Sequence, residues 1–194
     1  KKNTEEERLL GVSLTGIMDS MIMSGREEHK KQLPHILNEL RLVAVNTNLE
    51  YAKKFNIPPS TAITCVKPSG TVSQLCDSAS GIHARHSEFY VRTVRGDNKD
   101  PLTQFMINEG IPSESCVMKP DTTTVFSFPM RSPATCITRN NMSAIEQLEM
   151  WLIYQRHWCE HKPSVTVTVK ADEWRDVGAF VYKNFDEMSG VSFL

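Results

Sequence analysis

The chain has 194 residues, 40% of them hydrophobic, and its 22 basic and 23 acidic residues give a formal net charge of −1. That length supports one or two domains with a buried core, and the balanced charge excludes nucleic-acid or membrane binding through a global basic field, so any anion site must be local. The five cysteines form no CxxC pair, which argues against a secreted disulfide framework and predicts a cytoplasmic protein with reduced thiols. No apolar run approaches the roughly 20 residues of a membrane span, which excludes a membrane-spanning helix.

The first part of the chain predicts one long helix after short elements. A brief extended piece leads into a helix near residues 17–23 that ends at Gly25. Apolar residues then recur at helical spacing over residues 26–55, and Pro34 marks the place near which the ordered helix begins. A pair of prolines stops this helix.

Strands and helices alternate through the rest of the chain. β-Branched and aromatic runs predict the strands. Asp100 with Pro101, and Ser143 with Glu146 in a capping box, mark two helix starts. In chain order we predict a strand at 62–66, a strand at 88–95, a helix at 100–110, a strand at 122–130 ended by Pro129, a helix at 142–161, a strand at 164–169, a helix at 171–185 and a strand at 190–194. This alternation predicts an α/β architecture with parallel strands.

The strongest candidate for an anion site is the turn Pro68–Val72, directly after a predicted buried strand. Its small residues leave backbone N–H groups uncovered, a following helix start adds partial positive charge, and Gly70 lets a ligand approach closely. Ser69 and Thr71 add hydroxyl donors, and Lys67 adds a point charge. Phosphate is the natural guest, although the GxxxxGK[ST] spacing of a Walker loop is missing. The alternative is a plain strand-to-helix turn in which Ser69 or Thr71 caps the helix.

Two other clusters carry weaker signals. Ser80, Gly81 and His83 follow the turn, and they either line a site or belong to a polar loop. His157 and His161 share a helical face, but the intervening cysteine points away and no fourth ligand is apparent, so we predict no metal site. Histidines at the negative end of a helix dipole are the simpler explanation.

Several segments occur in the order expected of one enzyme family: GVSLTGIMD, CVKPSGTVSQLCDSASGIHARHSEFYVRTVR, DPL, HWCEHKPSVTVTV, EW and SGVSFL. Over nearly its whole length the chain resembles the adenosylcobalamin-dependent (class II) ribonucleotide reductases, particularly the monomeric type that reduces triphosphates. The resemblance implies a ten-stranded α/β barrel of two parallel half-sheets with a finger loop through its middle. Residues 1–194 are then a single fragment, the C-terminal portion of that barrel, and the missing initial Met and the terminal strand indicate truncation at both ends.

The same resemblance implies the residues and partners of a site. Substrate phosphates would be held by Pro68, Ser69, Gly70, Thr71 and Val72, with Ser80, Gly81 and His83 lining the site. The implied substrate is a ribonucleoside triphosphate and the implied cofactor is adenosylcobalamin, although no cobalamin-binding motif occurs in the chain. A deoxynucleotide effector and a thioredoxin-type reductant are implied as well.

The residues that carry the family's radical chemistry are missing from the sequence. The family begins with a thiyl radical on a cysteine in an Asn-Pro-Cys-Gly-Glu motif, and no such motif occurs here. We therefore assign no catalytic residue and expect the chain alone to be unable to reduce a nucleotide. Two alternatives stay open, a fragment of the large subunit of an oxygen-dependent (class I) reductase and a non-catalytic nucleotide-binding module.

Overall fold

The computed structural model describes residues 1–194, apart from the side chains of residues 27 and 28. The helices are α1 (Lys2–Glu7), α2 (Leu33–Phe55), α3 (Val72–Leu75), α4 (Pro101–Asn108), α5 (Ala144–His157) and α6 (Trp174–Asn184). The strands are β1 (Val12–Ser13), β2 (Thr64–Cys65), β3 (Phe89–Asp97), β4 (Ser113–Ser115), β5 (Thr123–Arg131), β6 (Thr166–Val167) and β7 (Ser192–Phe193). Short 3₁₀ turns occur at Ile17–Asp19, Glu27–Lys30, Arg139–Asn141 and Phe185–Glu187.

The chain forms two compact units with different sheets. The first unit comprises residues 1–85 and 135–194, and in it β1 pairs with β2 and β6 pairs with β7, both in parallel. The second unit, residues 86–134, contains the antiparallel sheet β3-β5-β4. The expected α/β architecture with parallel strands is thus confirmed in the first unit. It is wrong for the second, because an alternation of strands and helices does not reveal in which direction a strand runs.

The parallel strands of the first unit extend beyond their short ladders through further backbone bonds. The amide of Glu160 donates to the carbonyl of Thr64 at 2.9 Å, and the amide of Ser164 donates to that of Val66 at 2.9 Å. The segment that leads into β6 therefore runs beside β2. This arrangement puts the turn after β2 close to the residues of β6.

Helix α5 forms the centre of the core in the first unit. Leu148, Trp151 and Tyr154 are completely buried on it. The Trp151 indole donates to the carbonyl of Pro163 at 3.0 Å and the Tyr154 hydroxyl to that of Met23 at 2.7 Å, so both buried polar groups are satisfied. The predicted capping box at the start of α5 is confirmed.

Predicted element boundaries hold where local chemistry defines them. Helix α2 begins at Leu33, next to Pro34, and helix α4 is capped by Asp100, whose Oδ1 accepts the Leu102 amide at 2.9 Å. The predicted helix at residues 17–23 is wrong beyond a single 3₁₀ turn, because the chain is already extended at Ser20.

Pro129 does not end β5 as predicted; it lies inside the strand, opposite Val91 of β3. The amide of Ser127, two residues earlier, donates to Pro112 at 2.9 Å, on the side of β5 that β4 occupies. Residues two apart in a strand point their N–H groups to the same side. Pro129 lies past the end of β4 on that side, so its missing N–H group leaves no partner unsatisfied.

Candidate functional site

The Pro-Ser-Gly-Thr turn leaves the carboxyl end of β2 and enters α3, a helix of four residues. All of its residues are exposed except Ser69, which is half-buried. The carbonyl of Thr71 accepts the amides of Gln74 and Leu75 at 3.0 Å, which closes the first helical turn through the backbone. The Thr71 side chain makes no capping bond. A Thr71 side-chain cap, one alternative for this turn, is therefore wrong.

Three consecutive amides of the turn are uncovered. Among the described residues, none accepts a hydrogen bond from the N–H groups of Gly70, Thr71 or Val72, whereas the Ser69 amide donates to Ser80 Oγ at 3.0 Å. A Cβ built on Gly70 has no neighbouring atom within 4 Å. Exposed, successive N–H groups of this kind form a concavity that binds anions. Since α3 is only one turn long, its dipole adds less than the sequence suggested.

The Ser69 side of the turn is held by the segment that follows β1. Thr15 Oγ1 lies 3.2 Å from Ser69 Oγ and donates to the carbonyl of Ala79 at 3.0 Å. The Gly16 amide donates to the same carbonyl at 2.7 Å. The Ser73 hydroxyl donates to the carbonyl of Ser69. These bonds support the turn from one side and leave its exposed side open.

The second predicted cluster, Ser80 to His83, lies directly beside the turn. Gly81 has a φ of +52°, and a Cβ there would lie 3.3 Å from Val66 Cγ1 and 3.4 Å from the Lys67 carbonyl oxygen. Only glycine combines that conformation with so close an approach. The His83 ring contacts backbone through both nitrogens, with Nδ1 2.9 Å from the Ser80 carbonyl and Nε2 3.1 Å from the Thr166 amide.

A polar cavity of about 130 Å³ opens next to the turn. Its lining includes Pro68 and His83, together with four residues for which no site role was predicted: Lys162, Ser164, Thr166 and Ser192. The alternation of valine with serine or threonine over residues 164–169 was the sequence signal for these residues. Val165 and Val167 are buried in the core, so Ser164 and Thr166, which alternate with them, face the other way.

Two lysines lie near this cavity. The Lys67 ammonium, predicted as a point charge for the site, donates to the carbonyl of Lys162 at 2.6 Å. The Lys162 side chain lies across Gly190, where an added Cβ would be 2.9 Å from its Nζ. Lys67 follows β2 and Lys162 lies on the segment beside it, and each can add positive charge to the region in front of the turn.

A buried arginine, Arg85, anchors the segment that carries Ser80. Its Nε and Nη2 lie 3.0 and 2.9 Å from the two carboxylate oxygens of Asp19, and its Nη1 lies 3.1 Å from Asp77 Oδ1. Asp19 Oδ2 also accepts the Ala79 amide at 2.7 Å. The sequence carried no signal for this network, because 66 positions separate Arg85 from Asp19.

The histidines at the end of α5 do not converge. His157 Nδ1 lies 3.2 Å from Asn38 Oδ1, and His161 Nε2 lies 2.8 Å from the carbonyl of Leu10. Among the described residues, no group of three or more His, Cys, Asp or Glu side chains is placed to hold a metal ion. Each histidine ring instead joins α5, or the loop after it, to another segment.

All five cysteines are free thiols. Burial raises the pKa of Cys159 to about 12, and the neighbouring Cys65 thiol contributes in the same direction. A thiol held in its protonated form is a poor nucleophile. Cys159 is therefore a core residue rather than a reactive one.

Comparisons with known proteins identify the fold. No family model matches the chain. The chain superimposes on the crystal structure of a B-12 dependent (class II) ribonucleotide reductase with a TM-score of 0.84 and 22% identity, over 100% of this chain and 30% of that one. It therefore has the fold of the corresponding part of a class II reductase. Within the described residues, no helix is both long and apolar enough to cross a bilayer.

Sequence similarity is more specific. The chain is 28% identical over 188 residues to the adenosylcobalamin-dependent ribonucleoside-triphosphate reductase of Euglena gracilis, covering 96% of this chain and 25% of that protein. It is 29% identical over 164 residues to the probable enzyme of the same name in Dictyostelium discoideum, covering 83% and 21%. The resemblance inferred from the motifs is thus confirmed, and the cobalamin-dependent class is favoured over class I. The chain spans about a quarter of the length of these relatives.

Proposed function

We propose that the chain is the C-terminal part of the catalytic barrel of an adenosylcobalamin-dependent ribonucleoside-triphosphate reductase, and that it supplies the site for the substrate's phosphates. One observation carries the proposal: the uncovered amides of Gly70, Thr71 and Val72 lie at the carboxyl end of β2, in a chain that resembles those reductases along its whole length. Ligands of open parallel α/β sheets characteristically bind outside the carboxyl ends of the strands.

The turn can bind a phosphate through directed donors. The three amides have no acceptor among the described residues and are therefore available to donate to phosphate oxygens, and the Thr71 hydroxyl adds a further donor. Hydrogen bonds to an ionised acceptor are roughly twice as strong as bonds between neutral groups. Gly70 keeps the approach open, because no side chain covers its amide. Lys67 and Lys162 supply the local positive charge that the nearly neutral chain lacks overall.

The radical and reducing steps belong to residues outside this chain. None of the five cysteines lies in the motif of the family's radical cysteine. In the enzymes that the chain resembles, adenosylcobalamin supplies the initiating radical. No cobalamin-binding motif occurs in the chain's sequence. We therefore assign no cobalamin-binding residue in this chain.

The partners follow from the same proposal. A ribonucleoside triphosphate is the substrate, a deoxynucleotide is the effector, and a thioredoxin-type protein or a small dithiol restores the reduced enzyme. Such a protein works in the cytoplasm, where thiols stay reduced. The five free cysteines support this location.

The test uses the full-length protein that contains this chain. Incubation with ribonucleoside triphosphates, adenosylcobalamin and a dithiol is expected to form deoxynucleotides, as measured by chromatography. Turnover that requires iron and ignores cobalamin would support the class I alternative. Stabilisation by ribonucleoside triphosphates without any turnover would support a non-catalytic nucleotide-binding module, because a ligand stabilises the native state by RT ln(1 + [L]/Kd) whether or not it reacts.

A further inference from the structure

His83 joins two segments of the first unit through its ring. Nδ1 lies 2.9 Å from the carbonyl oxygen of Ser80, and Nε2 lies 3.1 Å from the backbone nitrogen of Thr166. A carbonyl oxygen can only accept and an amide N–H can only donate, so Nδ1 carries the hydrogen and Nε2 is the acceptor. The two partners thus select one tautomer of the imidazole. Both nitrogens are used, which leaves the ring no donor for a ligand.

Ser80 passes this connection on to the phosphate turn. Its carbonyl is held by His83, while its hydroxyl oxygen accepts the Ser69 amide at 3.0 Å. A continuous path of hydrogen bonds therefore runs from β6 through His83 and Ser80 to Ser69. Because the Ser69 amide donates to Ser80 in this path, the first amide of the turn without an acceptor among the described residues is that of Gly70.

The other supports of the Ser80 segment approach from different directions. Arg85 and Asp19 hold the segment next to Ala79, and Gly81 places it against the end of β2. The Gln147 amide also joins this segment to β6, since its Nε2 donates to the Ile82 carbonyl at 2.9 Å and lies 3.5 Å from the Thr166 carbonyl oxygen. The His83 bond to the Thr166 amide is the connection that leads through Ser80 to the turn. Thr166 also lines the polar cavity beside the turn. His83 is thus placed to set the spacing between the turn and the hydroxyl-lined wall of that cavity.

We infer that His83 is a positioning residue of the phosphate site. In its Nδ1–H tautomer it connects Ser80 to β6 and so sets the direction in which the amides of Gly70 to Val72 point. Because both ring nitrogens bond backbone groups, His83 acts on the site through its neighbours rather than as a hydrogen-bond donor to the substrate. The inference rests on the proposed function for its effect on catalysis, whereas the hydrogen-bond path is a property of the fold.

The experiment compares the full-length protein with its His83→Ala, His83→Gln and Ser80→Ala variants, and with His157→Ala as a control histidine in the same unit. Hydrogen exchange of the Thr166 amide reports on the contact with the ring. KM and kcat for ribonucleoside triphosphates report on the phosphate site. In His83→Ala we expect Thr166 exchange to rise at least about tenfold and KM to rise about tenfold, with kcat changed less than about twofold, because the loss of one such bond is worth roughly a factor of ten.

The other variants separate positioning from a general loss of structure. The side-chain amide of glutamine offers both functions of the ring, because its carbonyl can accept from Thr166 in place of Nε2 and its NH2 group can donate to Ser80 in place of Nδ1. His83→Gln is therefore expected to restore slow Thr166 exchange and to bring KM back towards the original value, which also covers the case in which His83→Ala does not fold. In the double variant with both His83→Ala and Ser80→Ala, KM is expected to rise by less than the product of the two single effects, because both substitutions break the same path of hydrogen bonds. His157→Ala is expected to change neither readout.

Two results would overturn the inference. Unchanged Thr166 exchange in His83→Ala would remove the contact on which it depends, and faster exchange with an unchanged KM would remove the positioning role. A protein that reduces no ribonucleoside triphosphate would refute the proposed function instead. In that case calorimetry measures the affinity of the same variants for inorganic tripolyphosphate. A weaker affinity in His83→Ala would support an action of His83 on the turn, and an unchanged affinity would contradict it.

Discussion

Arg85 and Asp19, which are 66 positions apart, form a two-point ion pair, with Nε 3.0 Å from Oδ1 and Nη2 2.9 Å from Oδ2. The Arg85 side chain is only 6% exposed. Asp19 also accepts the Ala79 amide at 2.7 Å, next to the serine that receives the Ser69 amide. The pair therefore holds the segment against which the phosphate turn rests.

Replacing Asp19 by Ala is expected to lower the free energy of unfolding by about 2–4 kcal/mol. Removing one partner of a buried pair leaves the other charge uncompensated, which costs roughly 3–5 kcal/mol, and Arg85 keeps Asp77 as a second partner. Urea unfolding measures the change. Glu50→Ala, in the exposed pair with Lys54, is the control and is expected to cost less than about 0.5 kcal/mol. Equal losses in the two variants would contradict a structural role for the buried pair.

Gly70→Val is expected to impair substrate binding without affecting folding. A Cβ at Gly70 meets no atom within 4 Å, so the free energy of unfolding should stay within about 0.5 kcal/mol of the original value. In the full-length enzyme the valine obstructs the approach to the uncovered amides, and KM should rise about tenfold or more while kcat changes little. Gly178→Val, at an equally open position on α6, is the matched control. An unchanged KM in Gly70→Val would argue against the turn as a substrate contact.

Gly81→Ala is expected to destabilise the protein instead, by about 1–3 kcal/mol. Its φ of +52° strains any residue with a Cβ, and the added carbon would lie 3.3 Å from Val66 Cγ1. Thermal unfolding compared with Gly70→Ala provides the measurement. If both alanine variants unfold at the same temperature, close approach at position 81 is not what keeps the segment beside the turn.

The capping box of α5 predicts a pH-dependent contribution to stability. The backbone N–H of Ser143, and then its hydroxyl, lower the pKa of Glu146 below its ordinary value of 4.5. A carboxylate whose pKa is lower in the folded state stabilises that state above its unfolded pKa, and the effect is lost as the pH falls through the folded value. Ser143→Ala should cost about 1 kcal/mol at pH 7. The difference between the original protein and Glu146→Gln should be largest at neutral pH and shrink below pH 4 in urea titrations.

Cys159 predicts the opposite dependence at high pH. Its pKa is raised from 9.0 to about 12, so the unfolded chain loses this proton before the folded protein does. The contribution of the protonated Cys159 thiol to the stability of the folded protein is fully present below pH 9. Above that pH the free energy of unfolding falls, by about 1 kcal/mol between pH 8 and pH 10. Burial raises the pKa of Tyr154 as well, which adds to the decline. Cys159→Ala should flatten the pH profile of unfolding, and alanine at the exposed Cys76 is the matched cysteine control.

Local chemistry explains which predictions from the sequence hold. Helices α4 and α5 begin where predicted because Asp100 and Ser143 bond amides only two or three residues away. The strands at 164–169 and 190–194 shrink to Thr166–Val167 and Ser192–Phe193 because a ladder extends only as far as its neighbour does. The antiparallel sheet of the second unit escaped prediction for a related reason: strand direction depends on pairing partners that lie far apart in the chain.

The sequence by itself determined the main helices, the parallel α/β character of the first unit and the small-residue turn at Pro68–Thr71, since caps, hydrophobic period and glycine placement act within a few residues. Only the tertiary structure decided which amides of that turn remain uncovered. Ser80 and Thr15 contact Ser69 across 11 and 54 positions, and His83 joins this segment to Thr166 across 83 positions. No local pattern encodes such contacts. The amides available to an anion are those of Gly70, Thr71 and Val72, because these distant residues bond only the Ser69 end of the turn.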